Sequence, residues 1–299
     1  MRPDLGDWFQ GSSYLDLQAI CRYLNKDGWS AGPLIKKGFL IHVGKICEDI
    51  KFTGTDADKV FKVCSSLMNS LVVEIMNNGD NATANDKFIN GYFALYRLLL
   101  AFKKDSPDLG SFADEQIQRA LKGRDSLKKD NFANLGEFLI YLSLSDKYEW
   151  KDVSEPFMRE CDARNVFWYA KGNRNNPPKC PELLNTATGD FAQRAKKVFE
   201  ATVVSRRLVM FQVRFISVAK NLWESGVLEI ESGDGADFGR FGLVPDCAKV
   251  RLKGLYQDVV QVNGWTEFFE FVGMVRRSDV DRGSELVEAV KVSKRLGYT

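Results

Sequence analysis

Apolar residues return every three or four positions along most of this chain. A segment patterned in this way can bury its apolar stripe only by coiling into an α-helix. The plainest case runs through Val60, Phe61, Cys64, Leu67, Met68, Leu71, Val72 and Ile75, one face of a long helix. Thr55 with Asp58 three residues on has the form of a capping box, with Asp in place of the usual Glu or Gln, and Asn77-Asn78-Gly79-Asp80 ends the run. Phe191 to Trp223 carries the same signal, through Val204, Leu208, Phe211, Phe215, Val218 and Leu222. Two stretches, Phe88 to Phe102 and Phe132 to Leu144, are apolar on nearly every side. Helices of that kind belong in the middle of a helical protein, covered by amphipathic neighbours.

Further helices are expected at Leu15–Leu24, from Pro33 to about Ile50, around Phe112–Lys122, at Asp152–Tyr169, and in two or three segments from about Pro245 on (Pro245–Val262, Thr266–Val275 and Ser284–Leu296). Strand-like alternation is rare; the glycine- and acid-rich stretch 228–242 is the one place where a short β-hairpin fits. The expected fold is therefore all-α, either an irregular helical bundle or a short stack of helical hairpins. Residues 170–190 hold three prolines, four asparagines and two glycines, a density of turn-formers that means a loop. That loop is the expected boundary between an N-terminal helical region (1–169) and a C-terminal one (191–299), unless the two form one continuous domain.

Composition supports a packed globular chain: 299 residues, 44% apolar and 27% charged. The six cysteines are scattered without a CxxC pair, and His42 is the single histidine, so a zinc site is not expected. The thiols read as reduced and mostly buried. The start Met1-Arg2-Pro3-Asp4 leads into mixed polar sequence unlike a secretory signal, and no segment reaches the ~18–20 apolar residues needed to span a bilayer. The expected location is the cytoplasm, with the nucleus as the alternative, and no membrane partner.

Catalytic patterns are missing. The chain has no GxGxxG, no GxxxxGKS, no GxSxG, no DxDxDG loop and no ExxH pair. Asp237-Phe238-Gly239 copies the kinase magnesium-binding tripeptide, but no catalytic loop precedes it. His42 sits in GFLIHVGKI, among large apolar residues and without a partner to tune it, and reads as structural. Cys180 lies close to Lys179, Lys171 and Arg174, and nearby cations favour a thiolate, yet no base accompanies it. No cofactor is expected, and an enzyme would need a site assembled from distant segments.

Charge is the most informative surface feature. Between Ala170 and Arg214 stand Lys171, Arg174, Lys179, Arg194, Lys196, Lys197, Arg206, Arg207 and Arg214 against three anions, a net of +6 in a chain whose total is +2. Lys196, Arg207 and Arg214 fall near one stripe opposite the apolar face, and Phe167, Trp168 and Tyr169 lie just upstream. Such an arrangement could bind RNA or another polyanion, the cations on phosphates and the rings on bases. A solvated helix face neutralised by an acidic neighbour, such as 229–237, explains the same charges more simply. The function expected first is a helical protein-interaction or scaffold domain with another protein as partner, with RNA binding through 170–214 as the alternative.

Overall fold

The computed structural model describes residues 33–79, 81–105, 107–185, 189–227 and 244–299. They form α1 (Pro33–Asp49), α2 (Asp56–Asn78), α3 (Ala82–Asp105), α4 (Pro107–Leu121), α5 (Leu135–Leu144), α6 (Trp150–Val166), α7 (Phe191–Ala201), α8 (Val203–Glu224), α9 (Asp246–Val260), α10 (Trp265–Phe271) and α11 (Asp279–Arg295). The protein is all-α: among the described residues there is no strand, and the one β feature is an isolated bridge between Asn173 and Asn176. The expected helix at 15–24, the hairpin near 228–242 and the Asp237-Phe238-Gly239 tripeptide lie outside the described residues. No described helix is long and apolar enough to cross a membrane.

Two compact units divide the chain, one comprising Met1–Glu115 with Ser217–Gly254, the other Gln116–Ile216 with Leu255–Thr299. The 170–190 segment, expected between halves, lies wholly inside the second unit, and each unit joins two separated stretches of sequence.

In the first unit α2 and α3 form an antiparallel-type hairpin around Gly79, whose φ of 54° is a left-handed value that glycine adopts without strain. Thr55 opens α2 as its sequence indicates: its hydroxyl accepts from the Asp58 N–H at 3.2 Å, and Asp58 accepts from the Thr55 N–H at 2.9 Å. The buried stripe of α2, from Val60 to Ile75, is the one its spacing marks. On α3, Ile89, Tyr92, Phe93, Leu95, Tyr96 and Leu99 are buried, and Leu71 of α2 packs over Gly91. Burial on more than one side suits the all-round apolar pattern of this segment.

In the second unit, α5 is the other all-round apolar helix, with eight of its ten residues buried. It begins at Leu135 and not at Phe132, because Asn134 caps it by accepting from the Gly136 N–H at 2.8 Å. Helices α6, α7 and α11 pack together. Helix α11 approaches the start of α7 so closely that a Cβ at Gly283 would overlap the Phe191 carbonyl.

The run Phe191–Trp223, a single helix by its periodicity, is two. It breaks at Thr202, in a β-branched stretch that favours a break. There the Thr202 hydroxyl donates to the Val198 carbonyl at 2.6 Å. Arg206 then turns its guanidinium back onto the Phe199 carbonyl, with Nε at 3.0 Å and a terminal nitrogen at 2.7 Å. A carbonyl left open at the end of α7 is satisfied by a side chain from the next helix.

Tyr298, beyond α11, closes the same unit. Its hydroxyl donates to Glu160 at 2.7 Å and accepts from the Lys129 N–H at 2.8 Å. Glu160 also holds Arg164, whose guanidinium reaches the carbonyls of Leu127, Phe132 and Ala133.

Candidate functional site

The nine cations of the 170–214 region do not form one ridge. Arg194 and Arg206 are buried, each only 5% exposed. Arg194 lies on the inner face of α7 with Ala195 and Val198 and donates to the Leu183 carbonyl at 3.3 Å. The Arg206 guanidinium stacks 3.3 Å from the centre of the Phe199 ring. Burial lowers the pKa of both guanidinium groups, that of Arg206 to about 10, with Arg207 adding to the fall. Lys197 pairs with Glu182 at 3.1 Å. Arg214 is exposed and lies 5.4 Å over the ring of Phe271, while Arg207 is half-buried. The break at Thr202 puts Lys196 on a different helix from Arg207 and Arg214, which interrupts the stripe drawn from the sequence.

Lys171, Arg174, Lys179 and Lys196 remain exposed, and among the described residues their side chains make no ion pair or hydrogen bond. Three of the four sit on one short piece of chain. Helix α6 ends in a π-turn, Phe167–Lys171, closed by the Gly172 N–H donating to the Phe167 carbonyl. Gly172 has φ 61°, and a Cβ there would lie 2.5 Å from the Asn176 oxygen and 2.6 Å from the Pro178 nitrogen. The loop therefore folds flat against it. Asn173 and Asn176 exchange backbone hydrogen bonds, and the Asn173 side chain accepts from the N–H groups of Asn175 and Asn176. The Cys180 N–H then donates to the Tyr169 carbonyl at 2.7 Å, so Lys179 returns beside the turn that carries Lys171.

The aromatic triplet on this turn is sorted. Tyr169 is buried, Phe167 half-buried, and Trp168 is 47% exposed, held edge-on to Phe167 at 5.0 Å between ring centres. Helical periodicity alone gave no reason to single out Trp168, because the π-turn changes the angular spacing of the three rings.

The same unit holds a buried polar layer that the sequence reading missed. Arg282 of α11 is 1% exposed and grips Asp162 of α6 through both carboxylate oxygens, at 2.7 and 2.6 Å. Its guanidinium also meets Glu285 at 3.1 Å and lies 4.1 Å over the Trp265 ring. Burial alone would depress the Arg282 pKa; Asp162, and after it Glu285, outweigh that and hold it above the ordinary value. Trp265 donates its Nε1–H to the Ala195 carbonyl at 2.8 Å, tying α10 to α7.

Cys180 is buried. Burial raises its thiol pKa and Glu182 adds to the rise, against smaller opposing effects of Lys197 and Lys179. A raised pKa leaves the thiol protonated, the reverse of the activated thiolate its cationic neighbours suggested. Cys47, Cys64 and Cys161 are buried too, and of the described cysteines Cys247 alone is exposed; all five are free thiols. His42 lies on α1. Among the described residues no three His, Cys, Asp or Glu side chains gather closely enough to hold a metal ion.

Comparison with protein-family models, with curated proteins and with solved structures finds no match to this chain.

Proposed function

We propose that this protein is a helical interaction module that binds another protein through the surface of its second unit. The observation that carries the reading is Trp168. Tyr169 beside it is buried and Phe167 half-buried, yet its own ring stands 47% exposed on a turn pinned by backbone hydrogen bonds at both ends. Tryptophan is among the residues most enriched at interface hot spots, since one ring supplies a large apolar contact with little rotamer entropy to lose. A second reading, polyanion binding, is supported by four exposed cations that pair with no anion among the described residues, Lys171, Arg174, Lys179 and Lys196.

Affinity capture after crosslinking, followed by reconstitution from purified components, tests the first reading. A stoichiometric complex with one protein is the expected result. Only nucleic acid recovered, with binding that falls steeply as salt rises, would replace it with the second reading. Failure to recover any partner at near-native concentration would remove both.

A further inference from the structure

We infer that the loop 168–180 recognises a short acidic peptide segment that lays one apolar side chain on the Trp168 ring, and this rests on the interaction-module reading above. The argument begins with complementarity. Trp168, Lys171, Arg174 and Lys179 all project from thirteen residues of chain, and no described anion pairs with the three cations. An occupant that matches this surface carries several negative charges around one apolar group.

The loop is also built before anything binds. Gly172 closes the π-turn, the Asn173–Asn176 pair closes the tip, and the Cys180-to-Tyr169 hydrogen bond closes the base. Pro177, Pro178 and Pro181 restrict the backbone between and after these points. A preformed loop loses little conformational entropy on association, so a small contact area suffices for measurable affinity.

Nucleic acid fits this surface less well. A single strand asks for successive stacking platforms along a continuous cationic track. Here Tyr169 is buried, Arg194 and Arg206 are committed to the interior, and Lys197 is paired with Glu182. The exposed face of α7 also carries Glu200. What is left is one exposed ring and three cations on thirteen residues of chain, and not a track.

The test uses the full chain and a fluorescein-labelled ten-residue peptide with one Leu flanked by Glu, at low and at physiological salt. Its partners are the same peptide with every Glu replaced by Gln, and a ten-nucleotide oligouridylate. Binding of the Glu peptide is expected to weaken about tenfold or more on Trp168→Ala, the range for loss of a hot-spot ring. The combined Lys171→Glu, Arg174→Glu, Lys179→Glu variant should abolish it, and the Gln peptide should bind far less tightly. These side chains are exposed, so circular dichroism and melting temperature should match the parent protein. No binding at low salt, binding unaffected by Trp168→Ala, or tighter binding of the oligouridylate each overturns the inference. If a captured protein partner binds equally well to the Trp168→Ala variant, the interaction-module reading stands on another face while this inference falls.

Discussion

Both units bury arginines, and one from each, Arg97 and Arg282, are driven in opposite directions. In the first unit burial lowers the pKa of Arg97, which lies on α3 among Tyr92, Phe93, Tyr96 and Leu99. In the second, Arg282 is buried more completely, yet its pKa is raised because Asp162 faces it through two hydrogen bonds. The first unit fills its interior with rings: Tyr92 stacks on Tyr96 at 5.9 Å, Phe93 stands edge-on to Tyr92 at 5.2 Å, and Tyr96 meets Trp223 at 6.5 Å. The second joins α6 to α11 by a buried ion pair roofed by Trp265. Apolar packing tolerates small changes of shape, whereas a buried ion pair is unforgiving toward the loss of one member.

That contrast can be broken first at Arg282. Arg282→Met leaves the Asp162 carboxylate buried without its partner and should lower stability by about 3–5 kcal/mol, read by urea unfolding. Adding Asp162→Leu to the same chain should restore most of the loss, because two apolar groups of similar volume leave no stranded charge. A loss under about 1 kcal/mol for the single variant, on the scale set by exposed pairs, would show that the pair is not what holds α6 to α11. The matching change in the first unit, Phe93→Ala, should also remove about 3–5 kcal/mol, but as a cavity.

Gly283 sharpens the picture next. Gly283→Ala sets a methyl group against the Phe191 backbone, which cannot swing aside as a side chain would. A loss of about 1–3 kcal/mol is expected from the displaced helix, visible as a lower melting temperature; an unchanged one would mean that α7 and α11 can part without penalty.

The smallest effect is at Tyr298. Its phenol pKa is raised from 10.0 to about 12, by burial first and then by the hydrogen bond to Glu160. The folded protein thus keeps this proton longer than the unfolded chain does. The associated stability is complete below pH 10 and disappears as the pH climbs toward about 12. Tyr298→Phe should flatten the melting temperature over that interval, and at neutral pH should remove about 1 kcal/mol for the lost hydrogen bond. An identical pH profile in both proteins would assign the alkaline transition elsewhere.

Much of the helical framework was legible in the sequence because its signals are local. The Thr55–Asp58 cap, the α2 stripe and the all-round apolar α5 each need only neighbours within a few residues. The ion pair was not legible, since Asp162 and Arg282 are 120 residues apart and nothing local links them. A weaker signal was present. Arg282 lies four residues before Leu286 and eight before Val290, and Arg206 four before Met210 and seven before Val213, each on the buried stripe of its own helix. Charge led Arg206 to be assigned to the surface, while phase places it, like Arg282, inside. Trp168 was named only together with Phe167 and Tyr169, since a π-turn departs from the 3.6-residue period that would have told the three rings apart.

Arg206 also decides which experiments on this surface can be interpreted. Its guanidinium holds the Phe199 carbonyl, in the final turn of one helix, from the first turn of the next, so reversing its charge would disturb the bend itself. A variant carrying Arg206→Glu that no longer bound a ligand would report a misshapen joint, whatever the ligand. Reagents meant to interrogate the outer face of this protein should spare that position and begin with the side chains that touch only solvent.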